Sequence, residues 1–253
     1  MGVFVERRER VAVLTFDRPP LNVLNIEIIR ELDATLDALA QTPAVDVIVV
    51  RGAGERAFSA GVDVGDHARE KVPEMLDSVH AVIRKLLGLP QVTVALIRGL
   101  CLGGGCELAA SCDLLIASED SSLATPEIRV GCYPPVALAR FSSLVGYHRA
   151  AEMVLTGRRF SAKEALDFGL VNRVSPGENL QETLDELLQE LLESSGAVLR
   201  IAVKGLRELA LANFSNALKR AEDLYSRELL RTEDVEEGVR AFLEKRKPVW
   251  KHR

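Results

Sequence analysis

The chain has 253 residues, of which 47% are hydrophobic and 27% are charged, and its formal net charge is -5 at pH 7. This length suits one large domain, or one domain with a small helical addition, and the composition is that of an ordinary soluble globular protein. The negative charge argues against a nucleic acid as the main partner, because binding to phosphates requires a basic field. It does not exclude a local basic pocket for a small anionic ligand.

The cysteines and the apolar runs bear on where the protein works. The four cysteines form no C-x-x-C pair and have no histidine at metal-ligand spacing, so we expect buried thiols in a reducing compartment and no metal. The start, MGVFVERRER, lacks the apolar core of a signal peptide. No apolar run reaches the roughly 18 residues of a membrane span. These features predict a cytoplasmic protein that does not bind a membrane.

Strands and helices alternate in the first half of the predicted structure. Apolar and β-branched runs predict strands at residues 4–6, 11–16, 45–50, 92–97 and 114–117. Helical periodicity and the glycine and proline stop signals predict helices at residues 26–40, 73–87 and 106–111. The first two strands form a hairpin, and the order of the others indicates a mainly parallel α/β core.

The chain becomes helical after about residue 137. Leucine and isoleucine at helical spacing mark three helices near the end, with almost no strand signal among them. We predict an α/β core at residues 1–190 that binds the ligand, and a helical region at residues 191–253. No linker rich in proline, glycine or serine separates the two, so we expect them to pack as one unit.

Two glycine-bearing loops follow neighbouring strands of the predicted core. Residues 58–63 read FSAGVD, and residues 103–105 are three glycines just before a helix. Glycine allows a ligand to approach the backbone closely, and free N–H groups at such a turn suit a phosphate or a developing oxyanion. If the two strands are neighbours, amides from both loops can converge on one oxygen atom. A triple-glycine turn can also be purely structural.

Several motifs resemble those of the enoyl-CoA hydratase (crotonase) superfamily. They are FSAGVD with GLCLGGGCELAASCDLLIAS, then LATPEIRVG and LTGRRFSAKEALDFGLVNRV, with RPPLNVLN near the start and FLEKRKPVW near the end. The resemblance runs, with gaps, over nearly the whole chain. It implies an α/β fold made of a spiral of ββα turns with a C-terminal helical trimerisation region. It also implies a homotrimer or a dimer of trimers, and an acyl-CoA substrate with no other cofactor.

The resemblance also implies roles for residues of the two loops and of the C-terminus. The backbone amides of Val62 and Gly104 would form the oxyanion hole for a thioester enolate. The loop containing Ala60 and Asp63 would lie against the CoA adenine. Lys245 matches a lysine that meets CoA phosphate, sometimes from a neighbouring subunit, although an exposed helix face explains this lysine equally well.

Two glutamates stand in apolar surroundings, Glu107 in CELAA and Glu127 in ATPEI. Burying a charge is costly, so each requires a partner or a task. Both coincide with the two glutamates of hydratases in the resembled superfamily, whereas other branches usually keep one or neither. Adding water across a double bond conjugated to a thioester requires activated water at C3 and an acid at C2. We expect Glu127 to be the acid/base at C2 and Glu107 to hold and activate water.

One segment departs from the resembled pattern. Pro135 stands where a glycine is expected, so an N–H donor to the catalytic water is absent, and Tyr133 lies close by. Three interpretations stay open. The glutamates alone hold water in a reshaped pocket for an unusual acyl group, since PPLNVLN and YPPVA resemble cyclohexa-1,5-diene-1-carbonyl-CoA hydratases. Alternatively, Glu127 works alone in an enoyl-CoA isomerase. In the third interpretation the chain binds acyl-CoA without turnover.

Other polar residues are weaker candidates for the site. His67 lies beside the first glycine loop, and His80 lies on the second predicted helix, so both can join a site. No serine has a G-x-S-x-G setting, which argues against serine hydrolysis. The overall prediction is a lyase that hydrates an unsaturated acyl-CoA.

Overall fold

The computed structural model describes residues 1–67 and 69–253 and contains two sheets surrounded by helices. The strands are β1 (Gly2–Arg8), β2 (Val11–Asp17), β3 (Val47–Gly52), β4 (Ala57–Ser59), β5 (Val92–Ile97), β6 (Leu100–Leu102), β7 (Leu114–Ser118), β8 (Ser122–Ala124), β9 (Phe160–Ser161) and β10 (Arg173–Ser175). The helices are α1 (Ile26–Ala40), α2 (Val72–Gly88), α3 (Gly104–Ala110), α4 (Pro135–Val145), α5 (Tyr147–Thr156), α6 (Ala162–Asp167), α7 (Leu180–Leu192), α8 (Gly196–Ala210), α9 (Phe214–Arg227) and α10 (Glu233–Leu243).

The larger sheet has the strand order β1-β2-β3-β5-β7-β10. β1 and β2 form an antiparallel hairpin, and all other neighbours in this sheet are parallel. Both faces of the parallel strands are covered, as parallel sheets require. On one face, alternate residues of the strands pack in a large core with α1 and α2. On the other face, valines of β3 and β5 pack against α7 and α8.

The smaller sheet has the order β4-β6-β8-β9 and positions the glycine loops. β4 pairs with β6 in parallel, and β6 pairs with β8 in parallel, so their carboxyl ends share one edge. The segment after β4 leads into Gly61, and the segment after β6 leads into Gly103. The two glycine loops therefore follow neighbouring strands, as their convergence on one oxygen atom requires.

Most of the long predicted elements are confirmed. α1 spans the predicted residues 26–40, α2 extends the second predicted helix by one residue at each end, and the mainly parallel core is present. The chain after residue 137 is mainly helical, as expected, but it also contains two short strands, β9 and β10, of which β10 pairs with β7. β4, β6, β8 and β9 were not predicted either, since strands of two or three residues are too short to show an alternating pattern.

The C-terminal part is helical, as predicted, with four helices, α7 to α10, rather than three. The predicted boundary between residues 190 and 191 lies inside α7, and the division into two regions stays a prediction. All four cysteines are buried and free, as expected. Among the residues that the structure describes, no helix is long and apolar enough to cross a membrane.

Candidate active site

The two glycine loops contact each other. A methyl group added at Gly61 would lie 3.1 Å from the Leu102 carbonyl oxygen and 3.7 Å from the Gly104 amide nitrogen. Gly61 and Gly103 have φ angles of +99° and +55°, which residues with a side chain rarely adopt. This approach therefore depends on glycine at these two positions. The parallel pairing of β4 with β6 holds the loops together.

Backbone amides at this contact are free to bind a ligand. The carbonyl of Gly61 accepts from Leu24, and the amide of Asp63 donates to Leu24, which fixes the backbone on both sides of Val62. Gly104 is the first residue of α3, so its amide has no acceptor within the helix. Over residues 1–67 and 69–253, the amides of Val62 and Gly104 donate to no protein acceptor. Two free amides on touching loops are what an oxyanion hole requires.

Glu107 lies in the first turn of α3 and is buried. Its carboxylate Oε1 accepts a hydrogen bond of 2.9 Å from the amide of Ala137, at the start of α4. Burial raises the pKa of Glu107 to about 7. The backbone amides of Ala137 and Val136 partly oppose this rise, because their hydrogen bonds favour the charged form. The N-terminus of a helix attracts negative charge, so α4 holds this carboxylate and supports its ionised form.

Glu127 lies in a short 3-10 turn, Pro126–Val130, beside the second glycine loop. A methyl group added at Gly103 would lie 2.7 Å from its carboxylate Oε1. Its other oxygen, Oε2, is buried and has no hydrogen-bond partner within the described residues. Burial and, second, the charge of Glu107 raise the pKa of Glu127 to about 8. The two carboxylates thus titrate as a coupled pair, and the amides of Ala137 and Val136 favour the ionised form at Glu107.

One cavity of about 470 Å³ joins these groups. Val62, Gly104, Glu107 and Glu127 all line it. Its wall continues with residues of α2, with Tyr225 of α9, and with α10 and the segment that follows it. The carboxylates and the free amides of the floor therefore face the same enclosed space.

Comparison with known proteins assigns this arrangement to a family. A family model described as enoyl-CoA hydratase/isomerase matches residues 6–253. The chain belongs to the enoyl-CoA hydratase/isomerase family. A probable enoyl-CoA hydratase of Rhizobium meliloti is 38% identical over 263 residues, which cover 99% of this chain and 98% of that protein.

Two further relatives support this membership. The cyclohexa-1,5-dienecarbonyl-CoA hydratase of Thauera aromatica is 32% identical over 255 residues, covering 100% of this chain and 97% of that protein. The crystal structure of an enoyl-CoA hydratase from Mycobacterium avium subsp. paratuberculosis matches with a TM-score of 0.89 at 28% identity. That match covers 99% of this chain and 98% of the other. The crotonase-type fold expected from the sequence is therefore confirmed.

Of the residues predicted to bind the substrate, three line the cavity. Ala60 lies on the first glycine loop. Pro135 is the first residue of α4, where its missing N–H costs no helical hydrogen bond. Tyr133 also lines the cavity, but its hydroxyl donates to the carbonyl of Ala221 over 2.7 Å and is thus engaged within the protein.

The other two predicted binding residues do not line the cavity. Asp63 forms an ion pair of 3.5 Å with Arg18 and accepts from the amide of Gly65. Lys245 is exposed just beyond α10, whereas its neighbour Arg246 lines the cavity. Arg246 is bound to Glu237, a buried glutamate of α10. The roles of Asp63 and Lys245 in binding CoA stay predictions.

Sequence reasoning missed several residues of the cavity wall. Tyr225 and Phe242 line the cavity, although they are more than 80 residues beyond the glycine loops. Their helical spacing marks α9 and α10 as amphipathic, but it does not say what they cover. His67 and His80, named as weaker candidates, both line the cavity. No group of three or more metal-binding side chains occurs in the described part of the chain.

Proposed function

We propose that the protein is a hydro-lyase that adds water across, or removes it from, the double bond of an unsaturated acyl-CoA thioester. One observation carries the proposal: the buried Glu107, the half-buried Glu127 and two free amides on touching loops face one cavity. Relatives at 38% and 32% identity are described as hydratases, which supports the same reaction here. CoA is part of the substrate, and the proposed reaction uses no other cofactor.

Each of these residues has its own role in the proposed reaction. The amides of Val62 and Gly104 bind the thioester oxygen and stabilise the enolate, each contributing on the order of 3 kcal/mol. Glu107, ionised and held by the Ala137 amide, takes a proton from water while the water oxygen bonds to C3. Glu127 is protonated at this stage and gives its own proton to C2. Return of a proton from Glu107 to Glu127 completes the cycle, so that one water molecule is added.

The start of α4 supports a reshaped pocket for this reaction. Pro135 offers no N–H to a water molecule, and the next amides along the chain serve Glu107. Water is then oriented by the two carboxylates. We include in the proposal a cyclic dienoyl-CoA substrate, because the hydratase of Thauera aromatica acts, by its name, on such a ring.

Copies of the chain are also proposed to associate. Helix α8 exposes four large apolar side chains, Val198, Ile201, Leu206 and Leu209. Such a surface is costly in water and is usually covered by a partner. We propose a homotrimer or a dimer of trimers, which light scattering of the purified protein tests directly.

Turnover of a substrate panel tests the reaction. The panel contains crotonyl-CoA, a longer enoyl-CoA, a 3-enoyl-CoA and cyclohexa-1,5-diene-1-carbonyl-CoA, followed by ultraviolet absorbance and mass spectrometry. A gain of one water in mass is expected for at least one of them. A change in absorbance at constant mass would indicate an isomerase that uses Glu127 alone. Binding without any change would indicate a protein that holds acyl-CoA without turnover.

Variants of the two carboxylates test the assigned roles. Glu107→Gln and Glu127→Gln are each expected to lower kcat by about 100-fold or more, because general acid–base catalysis contributes that much. Affinity for a saturated acyl-CoA should stay within a few-fold of that of the wild type. Glu119→Gln, a change at an exposed glutamate outside the cavity, is the matched control. Full turnover in either site variant would show that the assignment is wrong.

A further inference from the structure

His80 is a polar residue on the otherwise apolar wall that α2 gives to the cavity. Its neighbours along this wall are Met75, Leu76 and Val79, and all four residues line the cavity. The His80 side chain is only 1% exposed. A buried polar group of this kind requires a hydrogen-bond partner, because its loss of hydration is costly otherwise.

One ring nitrogen of His80 has such a partner. Nδ1 lies 2.8 Å from Oε1 of Glu222, which belongs to α9. Glu222 also lies 3.4 Å from Arg84 and 3.9 Å from Lys219, so two cations flank its carboxylate. A carboxylate oxygen paired with cations accepts hydrogen bonds, so we assign the ring proton to Nδ1, which donates to it. Burial, the largest effect, lowers the pKa of His80 and favours the neutral ring, although Glu222 opposes it.

The neutral ring with a proton on Nδ1 has a lone pair on Nε2. Within the described residues, Nε2 makes no hydrogen bond. Because His80 lines the cavity and its Nδ1 is engaged by Glu222, Nε2 is the ring nitrogen left for a ligand in the cavity. The cavity wall therefore offers a fixed hydrogen-bond acceptor.

The position of His80 separates it from the reacting atoms. His80 lies on α2, whereas Glu107 lies on α3 and Glu127 on the 3-10 turn after β8. His80 lies where α2 meets α9, next to the wall formed by Tyr133 and Tyr225. If the reacting atoms lie at Glu107 and Glu127, a ligand group that contacts His80 belongs to the part of the acyl chain beyond the double bond.

We propose that His80, held by Glu222, binds a hydroxyl group on the distal part of the acyl chain, so that the preferred substrates are hydroxylated acyl-CoA thioesters. This inference rests on the proposed function, because it takes the ligand to be an acyl-CoA. A plain alkyl chain leaves Nε2 desolvated and without a partner. A hydroxyl at the right carbon donates to Nε2 and removes that cost. Sites built to bind a substrate hydroxyl discriminate strongly against analogues that lack it.

Calorimetric binding of saturated thioesters tests this inference without turnover. The ligands are hexanoyl-CoA and its 4-, 5- and 6-hydroxy derivatives. At least one hydroxylated ligand is expected to bind the wild type about 10-fold or more tightly than hexanoyl-CoA. His80→Leu should abolish that preference, chiefly by weakening the hydroxylated ligand. His67→Leu, a change at the other histidine of the cavity, is the matched control and should retain the preference.

Glu222→Gln tests the role of the carboxylate. The glutamine amide can donate to Nδ1 as well as accept from it, so the ring proton is no longer fixed on Nδ1. The preference for the hydroxylated ligand over hexanoyl-CoA is then expected to shrink, and affinity for the corresponding oxo ligand, which only accepts, is expected to rise. Unchanged affinities for both ligands in this variant would contradict the proposed orientation of the dyad.

The outcomes separate this inference from the proposed reaction. Equal affinities of the wild type for all four ligands, or a hydroxyl preference that survives His80→Leu, would overturn the inference even if enoyl-CoA is hydrated. A hydroxyl preference that depends on His80, in a protein that hydrates no member of the substrate panel, would overturn the proposed reaction alone.

Discussion

The floor and the cover of the cavity are built in different ways. The floor consists of the loops after β4 and β6 and of the first turn of α3, and it presents the free backbone amides of Val62 and Gly104 to the cavity. The cover consists of α2, α9, α10 and the segment after α10, and it presents side chains to the cavity. Backbone positions are set by strand pairing and by glycine, whereas side chains change with any substitution. The floor therefore suits a fixed reaction, and the cover suits a particular acyl group.

The two parts meet at one tight contact. A methyl group added at Gly238 of α10 would lie 2.3 Å from the carbonyl oxygen of Val130, and one added at Gly131 would lie 2.7 Å from that of Asp234. Val130 ends the turn that carries Glu127. The position of α10 is therefore coupled to that of a proposed catalytic carboxylate. A change in the cover can reach the floor through this contact.

The largest expected effect comes from the floor. In Gly104→Ala the new methyl group would lie 2.7 Å from Cγ2 of Val62, a stiff β-branched side chain, so Val62 must shift. We expect kcat to fall by about 100-fold or more, because both proposed oxyanion donors are displaced. Steady-state kinetics measures this, and a thermal melt confirms that the variant folds. Gly88→Ala, at a glycine with no atom near the added methyl group, is the control. Turnover above half that of the wild type would contradict the proposed oxyanion hole.

The carboxylate pair between floor and cover predicts a pH dependence of stability. Both folded-state pKa values, about 7 and about 8, lie above the ordinary 4.5 of glutamate. The folded protein thus binds more protons than the unfolded chain between pH 4.5 and 8, and its stability falls as pH rises through that range. Each group contributes a slope of at most about 1.4 kcal/mol per pH unit. Urea unfolding at several pH values measures this.

The double variant Glu107→Gln/Glu127→Gln isolates that effect. Because glutamine does not titrate, the variant should lose less stability than the wild type between pH 5 and 8. Glu119→Gln should follow the wild type. If the free energy of unfolding changed with pH in the same way in the wild type and in the double variant, burial would not raise the two pKa values.

The same contrast explains how much the sequence could predict. The floor was predictable because its residues lie in short motifs and have few alternatives: Gly61 and Gly103 adopt backbone angles that favour glycine, and Glu107 lies two positions after the last of the three glycines. The long elements were predictable because α1 repeats its apolar residues over four turns. Strands such as β4 and β6, with three residues each, carry too little pattern to be recognised.

The cover was not predictable, because its contacts join residues far apart in the chain. His80 and Glu222 are 142 residues apart, and Tyr133 and Ala221 are 88 residues apart. Helical periodicity shows that α9 buries one face, but it does not identify the opposite surface. A usable signal was present in α2, where His80 is a polar residue on the face shared with Leu76, Val79 and Ile83. A buried polar residue on an apolar face requires a partner, and here that partner comes from the cover.

The smallest expected effect concerns two tyrosines at the edge of the cover. Tyr133 and Tyr225 contact each other edge to face, with ring centroids 5.0 Å apart. The hydroxyl of Tyr133 donates to the carbonyl of Ala221. The hydroxyl of Tyr225 is buried and has no hydrogen-bond partner within the described residues, and its neighbour Cys132 offers only a thiol, a weak hydrogen-bonding group.

Phenylalanine at either position keeps the aromatic contact and removes only the hydroxyl. We expect Tyr133→Phe to lower the free energy of unfolding by about 1 kcal/mol, because the hydrogen bond from Tyr133 to α9 is lost. Tyr225→Phe should leave stability unchanged or raise it, because an unpaired polar group is no longer buried. Urea unfolding of the two variants serves as a matched comparison. Equal losses in both would mean that the Tyr225 hydroxyl has a partner in solution, and that this edge of the cover is held by two polar contacts rather than one.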